Sequence, residues 1–546
     1  MTNLFLIHND NSFSETKSIT ADLKFGLDDP LNSNTVIDTD IDTYISQEFI
    51  PEIKDKEIDI LFIKDSLSQN YLDFLGLRLA YHIRLSKELK DKRFIPIVIL
   101  SDLDGYNLNK FTSLARILFT KNIFIGDNSP HTIEFYKANL TANESFKKNF
   151  KEEFLDVIDI VAPKDYLSSH SIANEWSIYR WGKYLGIENK DIEKNISSML
   201  YFKYLKNKYP IENIDDFIPD TPTQIGKVLY IDDEWKKGWK EIFESLFPLP
   251  IVFKCVEKNY KDKKYPHEII DFVKSEIINY KPDTIILDLR LHDDDFQEDR
   301  NIDDLTGIKI LKIIKEEINR GIQCIALTAS QNSLILEKLY KYDIVGYVKK
   351  EHPNNYKLDT KENINKIVTL VDTGLENKYL KDIWTTQEKI KGLEGFLIIN
   401  EEDLLSELFL NSQFIFDILN SKAKNKNNMA ILTIYKCFEV IASIYINTDI
   451  NPKVFKIGDP TLTSHNTLSP STNSQSGTLF HLFNILQNRL SDNNSDLHHN
   501  LEQLHICRKK IIHPKSTDNC TFISENIVKW FQLLEIVIEK MKNENL

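Results

Sequence analysis

The chain has 546 residues, a formal net charge of -14, 42% hydrophobic residues and 27% charged residues. That length exceeds one ordinary core, and the composition is normal for a soluble globular protein of roughly three or four domains. The acidic balance argues against a general nucleic-acid coat, and no apolar run approaches the roughly 18 residues of a membrane span.

The opening MTNLFLIHND lacks the charged start and long apolar centre of a secretory signal. Cys255, Cys324, Cys437, Cys507 and Cys520 form no C-x-x-C pair, so neither a zinc site nor a disulfide framework is indicated. A cytoplasmic protein without membrane contact is expected.

In chain order, residues 1–150 alternate short apolar runs (NLFLIH, IDILFI, IPIVIL, NIFIG) with helical stretches. This pattern predicts βα units around a parallel sheet. Residues 151–223 read as a helical connector, in which Trp176 and Trp181 are expected to pack the linker helices. PDTPTQIG, residues 219–226, carries two prolines and a glycine and reads as a linker. A second βα series occupies 224–375. Residues 376–546 read as an all-α segment, interrupted by the polar stretch GDPTLTSHNTLSPSTNSQSG.

The second βα series carries the clearest chemistry. VLYIDDE ends a strand on Asp232 and Asp233, and DTIILDLRL ends another on Asp288. In a parallel sheet the carboxyl ends of strands converge on one edge, where ligands bind. Three carboxylates gathered there repel one another and call for a cation, and an all-oxygen set favours Mg²⁺. CIALTAS adds the hydroxyl of Thr328, and VGYVKKE adds a lysine.

This set resembles the receiver domain of two-component response regulators over nearly all of residues 226–372. The resemblance implies that Asp232, Asp233, Asp288 and the backbone carbonyl of Arg290 hold Mg²⁺. It implies that Asp288 accepts a phosphoryl group from a sensor histidine kinase, that Thr328 and Lys350 bind the phosphoryl group, and that Tyr347 is the switch aromatic. Glu351 stands where the family usually has proline. The loop HDDDFQEDRNIDDL is longer and more acidic than usual, suited to slowing kinase access or to forming a partner surface.

The first segment offers His8, Asn9 and Asp10 after its first strand, Lys64 and Asp65 at its third, and Ser101 at its fourth. Two readings stand side by side: a receiver-like domain that has lost its site, with a lysine in place of the cation, and an unrelated βα domain with polar loops.

Near the C-terminus, CRKKIIHP spaces Arg508 five residues before His513. The late helices with this motif resemble HEPN domains. That resemblance implies an all-α bundle, homodimerisation and metal-independent RNA cleavage, with Arg508 on the phosphate and His513 in proton transfer. The plain alternative is a basic last turn facing a helix's negative end. Tyr435 and Glu439 read as an inward and a partner-facing position of a core helix.

Together these features imply a multidomain response regulator with α/β doubly wound domains and a helical output. Its switch would run through IVTLVDTGLENKYLKDIW, read as helical from the second α/β unit into the output. The output is expected either to cut RNA, as in phage defence, or to serve as a non-catalytic adaptor or phosphate sink.

Overall fold

The computed structural model describes residues 3–8, 17–20, 38–67, 71–140, 144–162, 169–212, 214, 216–260, 262–297, 300–329, 333–352, 359–396, 402–447, 454–455, 495–513 and 524–543. The polar stretch at 458–477, Asn9, Asp10 and Pro514 lie outside them.

The first sheet consists of β1 (Leu4–His8), β2 (Lys17–Thr20), β3 (Ile60–Lys64), β4 (Ile97–Leu100) and β5 (Ile123–Gly126), in the order β2-β1-β3-β4-β5. The second consists of β6 (Gly226–Ile231), β7 (Ile251–Cys255), β8 (Thr284–Asp288), β9 (Gln323–Thr328) and β10 (Gly346–Lys349), in the order β10-β9-β8-β6-β7. Every pairing in both sheets is parallel. Read from the same edge, the two orders are identical.

Central strands such as β4, β8 and β9 are buried along their whole length. Their sequences are therefore continuous apolar runs, with helices covering both faces. Alternate residues divide between two cores. In the second sheet Val228, Tyr230, Ile286 and Leu327 face one core, while Leu229, Ile231, Ile285 and Leu287 face the other.

The first of these cores is shared. It runs from Phe5, Ile63 and Ile99 through the connector residues Trp176, Trp181 and Phe202 to Trp239, Val348 and Leu375. The connector helices Ser169–Leu185, Lys190–Ser198 and Leu200–Lys208 lie between the two α/β units. Trp176 does stack on Phe202 within the connector. Trp181 instead meets Trp239 of the second unit edge-on, with ring centroids 5.3 Å apart.

The helix expected to run unbroken toward the C-terminal segment is interrupted. Thr360–Glu376 stops at Asn377, whose side-chain amide donates to the carbonyl of Thr373 at 2.9 Å, and Leu380–Leu393 begins anew. The described residues between Leu380 and Asn543 form a helical assembly with its own core, built on Phe416, Ile434, Phe438, Leu504 and Phe531. Its helices are Leu380–Leu393, Glu402–Asn420, Lys426–Tyr445, Ser495–Ile512 and Ser524–Asn543. One short antiparallel pair, Ile446–Asn447 with Val454–Phe455, qualifies the all-α expectation. Cys255, Cys324 and Cys437 are buried free thiols.

Candidate phosphoacceptor site and its counterpart in the first sheet

The candidate site lies at the carboxyl edge of the second sheet. Asp232 follows β6 directly, Asp288 and Thr328 are the last residues of β8 and β9, and Lys350 follows β10. Parallel pairing places these positions side by side, since Ile231 pairs with Leu287, Asp288 with Leu327, and Thr328 with Lys349. The Lys350 amide extends the ladder by donating to the Thr328 carbonyl at 2.8 Å.

The side chains converge as the backbone dictates. Carboxylate oxygens of Asp232, Asp233 and Asp288 all lie within 4.8 Å of one another. Among the described residues this is the one group of three acids, histidines or cysteines so arranged. Lys350 Nζ, fully buried, donates to Asp288 Oδ2 at 2.6 Å and to Asp232 Oδ2 at 3.0 Å. Of the two adjacent lysines, Lys350 is the one that enters the acid cluster.

Asp232 is further held by the Tyr230 hydroxyl on Oδ2 at 2.6 Å and by the Glu234 amide on Oδ1 at 2.8 Å. The Arg290 amide donates to Asp288 Oδ1 at 3.2 Å, and its guanidinium lies over the Phe296 ring. Thr328 is buried, while Tyr347 is partly exposed beside Tyr340 and under the Lys366 ammonium.

The electrostatics follow from burial and crowding. Burial opposes the charge of Lys350, but the carboxylates of Asp232 and Asp288 outweigh it and keep the ammonium protonated above the usual lysine range. Asp233 is pushed the other way. Burial, then the charges of Asp232, Glu234 and Asp288, raise its carboxyl well above the ordinary range, and Lys350 offsets only part of this. Asp233 Oδ1 is buried and has no hydrogen-bond partner. An oxygen-only cluster with one unmatched buried carboxylate oxygen suits a hard divalent cation such as Mg²⁺.

Two features escaped the sequence reading. The acidic loop after Asp288 is partly a structural cap. Asp295 is buried, and its carboxylate accepts from the amides of Leu291, His292 and Thr306. Glu351 is the second. Its carboxylate is buried and receives the Thr360 hydroxyl at 2.8 Å, Trp181 Nε1 at 3.2 Å and the Arg180 guanidinium at 3.1 Å. Burying a lone carboxylate costs several kcal/mol, so such a residue needs donors on every side. The connector helix Ser169–Leu185 supplies two of them, and sequence distance concealed this.

The first sheet repeats the framework without the chemistry. Ile7 pairs with Ile63 as Ile231 does with Leu287, so His8 stands where Asp232 stands. Lys64 pairs with Leu100 as Asp288 pairs with Leu327, so Lys64 takes the place of Asp288 and Ser101 that of Thr328. Gly126 pairs with Leu100, which sets Asn128 in the place of Lys350. Asn128 bonds to Asp102 at 2.9 Å, and Ser101 donates to Asp65, whose carboxyl is raised by burial.

At the C-terminal end, helix Ser495–Ile512 stops one residue before His513, which is exposed and whose amide donates to the Lys509 carbonyl at 2.8 Å. Arg508 turns the other way, toward helix Lys426–Tyr445. Its guanidinium lies 5.1 Å from the Tyr435 ring centroid and 3.8 Å from Glu439 Oε1. Tyr435 Oη is 2.9 Å from His505 Nδ1. Within the chain Arg508 thus neighbours Glu439 and Tyr435.

Residues 11–126 match the family model of the inactive receiver domain. This agrees with the substitution of Lys64 for the acceptor and with the parallel sheet of that region. Of the two readings of the first segment, the receiver-like one therefore holds. The protein carries a receiver-type module, the class found in response-regulator signalling. Comparison with curated proteins gave no match. No described helix is long and apolar enough to cross a membrane.

Proposed function

We propose that the chain is a response-regulator-like signalling protein in which the second sheet is phosphorylated on Asp288 and the first is an inactive companion. The observation carrying this reading is the pairing of Lys350 with Asp288 and Asp232 beside the partnerless oxygen of Asp233.

In the transfer, a carboxylate oxygen of Asp288 attacks the phosphorus of a kinase phosphohistidine. The P–N bond breaks, and its electron pair returns to the imidazole, which takes up a proton from water. Asp232, Asp233, Asp288 and the Arg290 carbonyl would hold Mg²⁺, which when bound offsets the phosphoryl charge. Lys350 is already protonated and positioned to follow the negative charge from the carboxylate to the phosphoryl oxygens. Thr328 is placed to donate its hydroxyl to the same group, and Tyr347 lies at the rim where that movement would be sensed.

The C-terminal helices are read as an interaction module that passes the signal to a partner. This is favoured by the position of Arg508, whose guanidinium lies over the Tyr435 ring and 3.8 Å from Glu439 within the chain. RNA cleavage by a homodimer, with a role in phage defence, is the second reading. It draws on the polar cluster of Arg508, His505, Tyr435 and Glu439 between two helices.

The test is ¹⁹F NMR of the full chain with Mg²⁺ and beryllofluoride, alongside mass analysis after acetyl phosphate. A bound fluoride signal and one alkali-labile phosphoryl group, both lost in Asp288→Asn, are expected. Their absence from the unsubstituted chain overturns the assignment.

A further inference from the structure

The connector helix Ser169–Leu185 reaches the acid cluster by two separate routes. The first passes along the backbone from Lys350 to Glu351. Ser177 Oγ accepts from the Glu351 amide and also faces the Glu351 carbonyl at 3.4 Å, so one hydroxyl spans both sides of that residue. The Glu351 carboxylate is then fixed by Arg180 and Trp181 of the same helix. Thr360 adds a bond from the second unit. Glu351 cannot shift without pulling on the turn of the connector that carries Ser177, Arg180 and Trp181.

The second route passes through Trp239. Its ring lies 5.5 Å from Lys350 Nζ, its indole N–H donates to Asn174, and its ring edge meets Trp181. The loop carrying Asp232 and Asp233 docks on the connector as well. Lys237 pairs with Glu234 at 2.7 Å and reaches Glu175 at 3.6 Å, and Asn189 donates to the Lys237 carbonyl. Gly238 packs so closely on Asn189 and Ile178 that a Cβ would meet them at 2.7 and 2.9 Å.

Beyond the connector the contacts continue into the first unit. Trp176 stacks on Phe202. Next to it Lys203 bonds His82 Nδ1 at 3.2 Å and Ser86 at 2.8 Å, while His82 Nε2 and the Leu200 amide both meet Asp42. Coupling between distant sites needs such a contiguous set of packed and hydrogen-bonded groups and an element that both sites bias.

We propose that helix Ser169–Leu185 reads the state of Asp288, with Glu351 and Trp239 as the residues that convey displacement of Lys350 to it, so that the signal travels toward the inactive receiver. The proposal rests on the phosphoacceptor reading. Lys350 is bonded to Asp288 in the resting state, and its ammonium must re-pair when the negative charge moves to a phosphoryl group. Lys350 has no freedom to do so independently, because the next residue is clamped by the connector. Glu351 and Ser177 are positioning residues in this scheme, not catalytic ones.

The experiment is hydrogen exchange by mass spectrometry on the full chain with Mg²⁺ alone and with Mg²⁺ plus beryllofluoride, in the unsubstituted protein, Ser177→Ala and Glu351→Gln. Beryllofluoride binding is followed in parallel by ¹⁹F NMR. The expected result is a change of about fivefold or more in exchange within residues 169–185 of the unsubstituted chain. In Ser177→Ala, which removes one hydroxyl and keeps the fold, the ¹⁹F signal persists and the exchange change shrinks. Glu351→Gln keeps the side-chain shape and serves as the second variant.

Bound beryllofluoride with unchanged exchange in 169–185 overturns the proposal and leaves the phosphoacceptor reading standing. A full response in both variants overturns it as well. Loss of the ¹⁹F signal in the unsubstituted chain removes the phosphoacceptor reading, and the coupling falls with it.

Discussion

Lys64 occupies in the first sheet the position that Asp288 occupies in the second: each ends its strand, and they pair with Leu100 and Leu327, respectively. On the proposed reading, the chain therefore offers one acceptor carboxylate, Asp288. Acetyl phosphate should add a single phosphoryl group per chain, measured by intact mass. Lys64→Asp should not add a second, because His8 and Asn128 stand where Asp232 and Lys350 are needed. A doubly phosphorylated Lys64→Asp chain would contradict this.

Lys350 is the only ammonium bonded to the acid cluster among the described residues. Removing one partner from a buried ion pair typically costs about 3–5 kcal/mol. Lys350→Met should lower metal-free stability by that order in urea melts. Millimolar Mg²⁺ should restore more stability to Lys350→Met than it adds to the unsubstituted chain, since the variant has more uncompensated charge. Equal Mg²⁺ effects on both would argue against a cation site there.

His82 links the first unit to the connector and is fully buried. Burial, then the Lys203 charge, depress its imidazole from 6.5 to about 4, with Asp42 opposing. The unfolded chain therefore binds more protons than the folded one between these values. Stability contributed by neutral His82 is complete above about pH 6.5 and is lost as the pH falls toward 4. The loss should reach about 2–3 kcal/mol. Chemical denaturation across that window should show a shallower slope for His82→Gln, and an identical slope would count against the assignment.

Arg508 lies over the Tyr435 ring near Glu439, while His513 is exposed beyond the helix end. The purified chain should leave single-stranded RNA intact, both with Mg²⁺ alone and with Mg²⁺ plus beryllofluoride. Gel assays would show this directly. Cleavage that disappears in His513→Ala would instead establish the ribonuclease reading.

The parallel sheets were legible because buried parallel strands must be continuous apolar runs, and the acids stand at their ends. His8, Lys64 and Ser101 could be matched to their counterparts because strand pairing fixes position residue by residue. Glu351 could not be understood in that way. Its donors Arg180 and Trp181 lie on a helix about 170 residues earlier, and no local pattern records such a contact. The break at Asn377 was hidden by an apolar periodicity that continues on both sides of it. Arg508 illustrates the converse limit: spacing along the chain told nothing of the neighbouring helix that receives its guanidinium.

The unbroken apolar core from Phe5 to Leu375 makes the first 375 residues a poor candidate for dissection. A fragment cut at the 219–226 linker would present Trp181 on one piece and Trp239 on the other to water. Isolated halves should therefore aggregate or melt early, whereas a cut after Glu376 leaves the preceding core whole. The linker that looks like a module boundary is a seam sewn across a single body, and recombination there would exchange half a fold instead of a part.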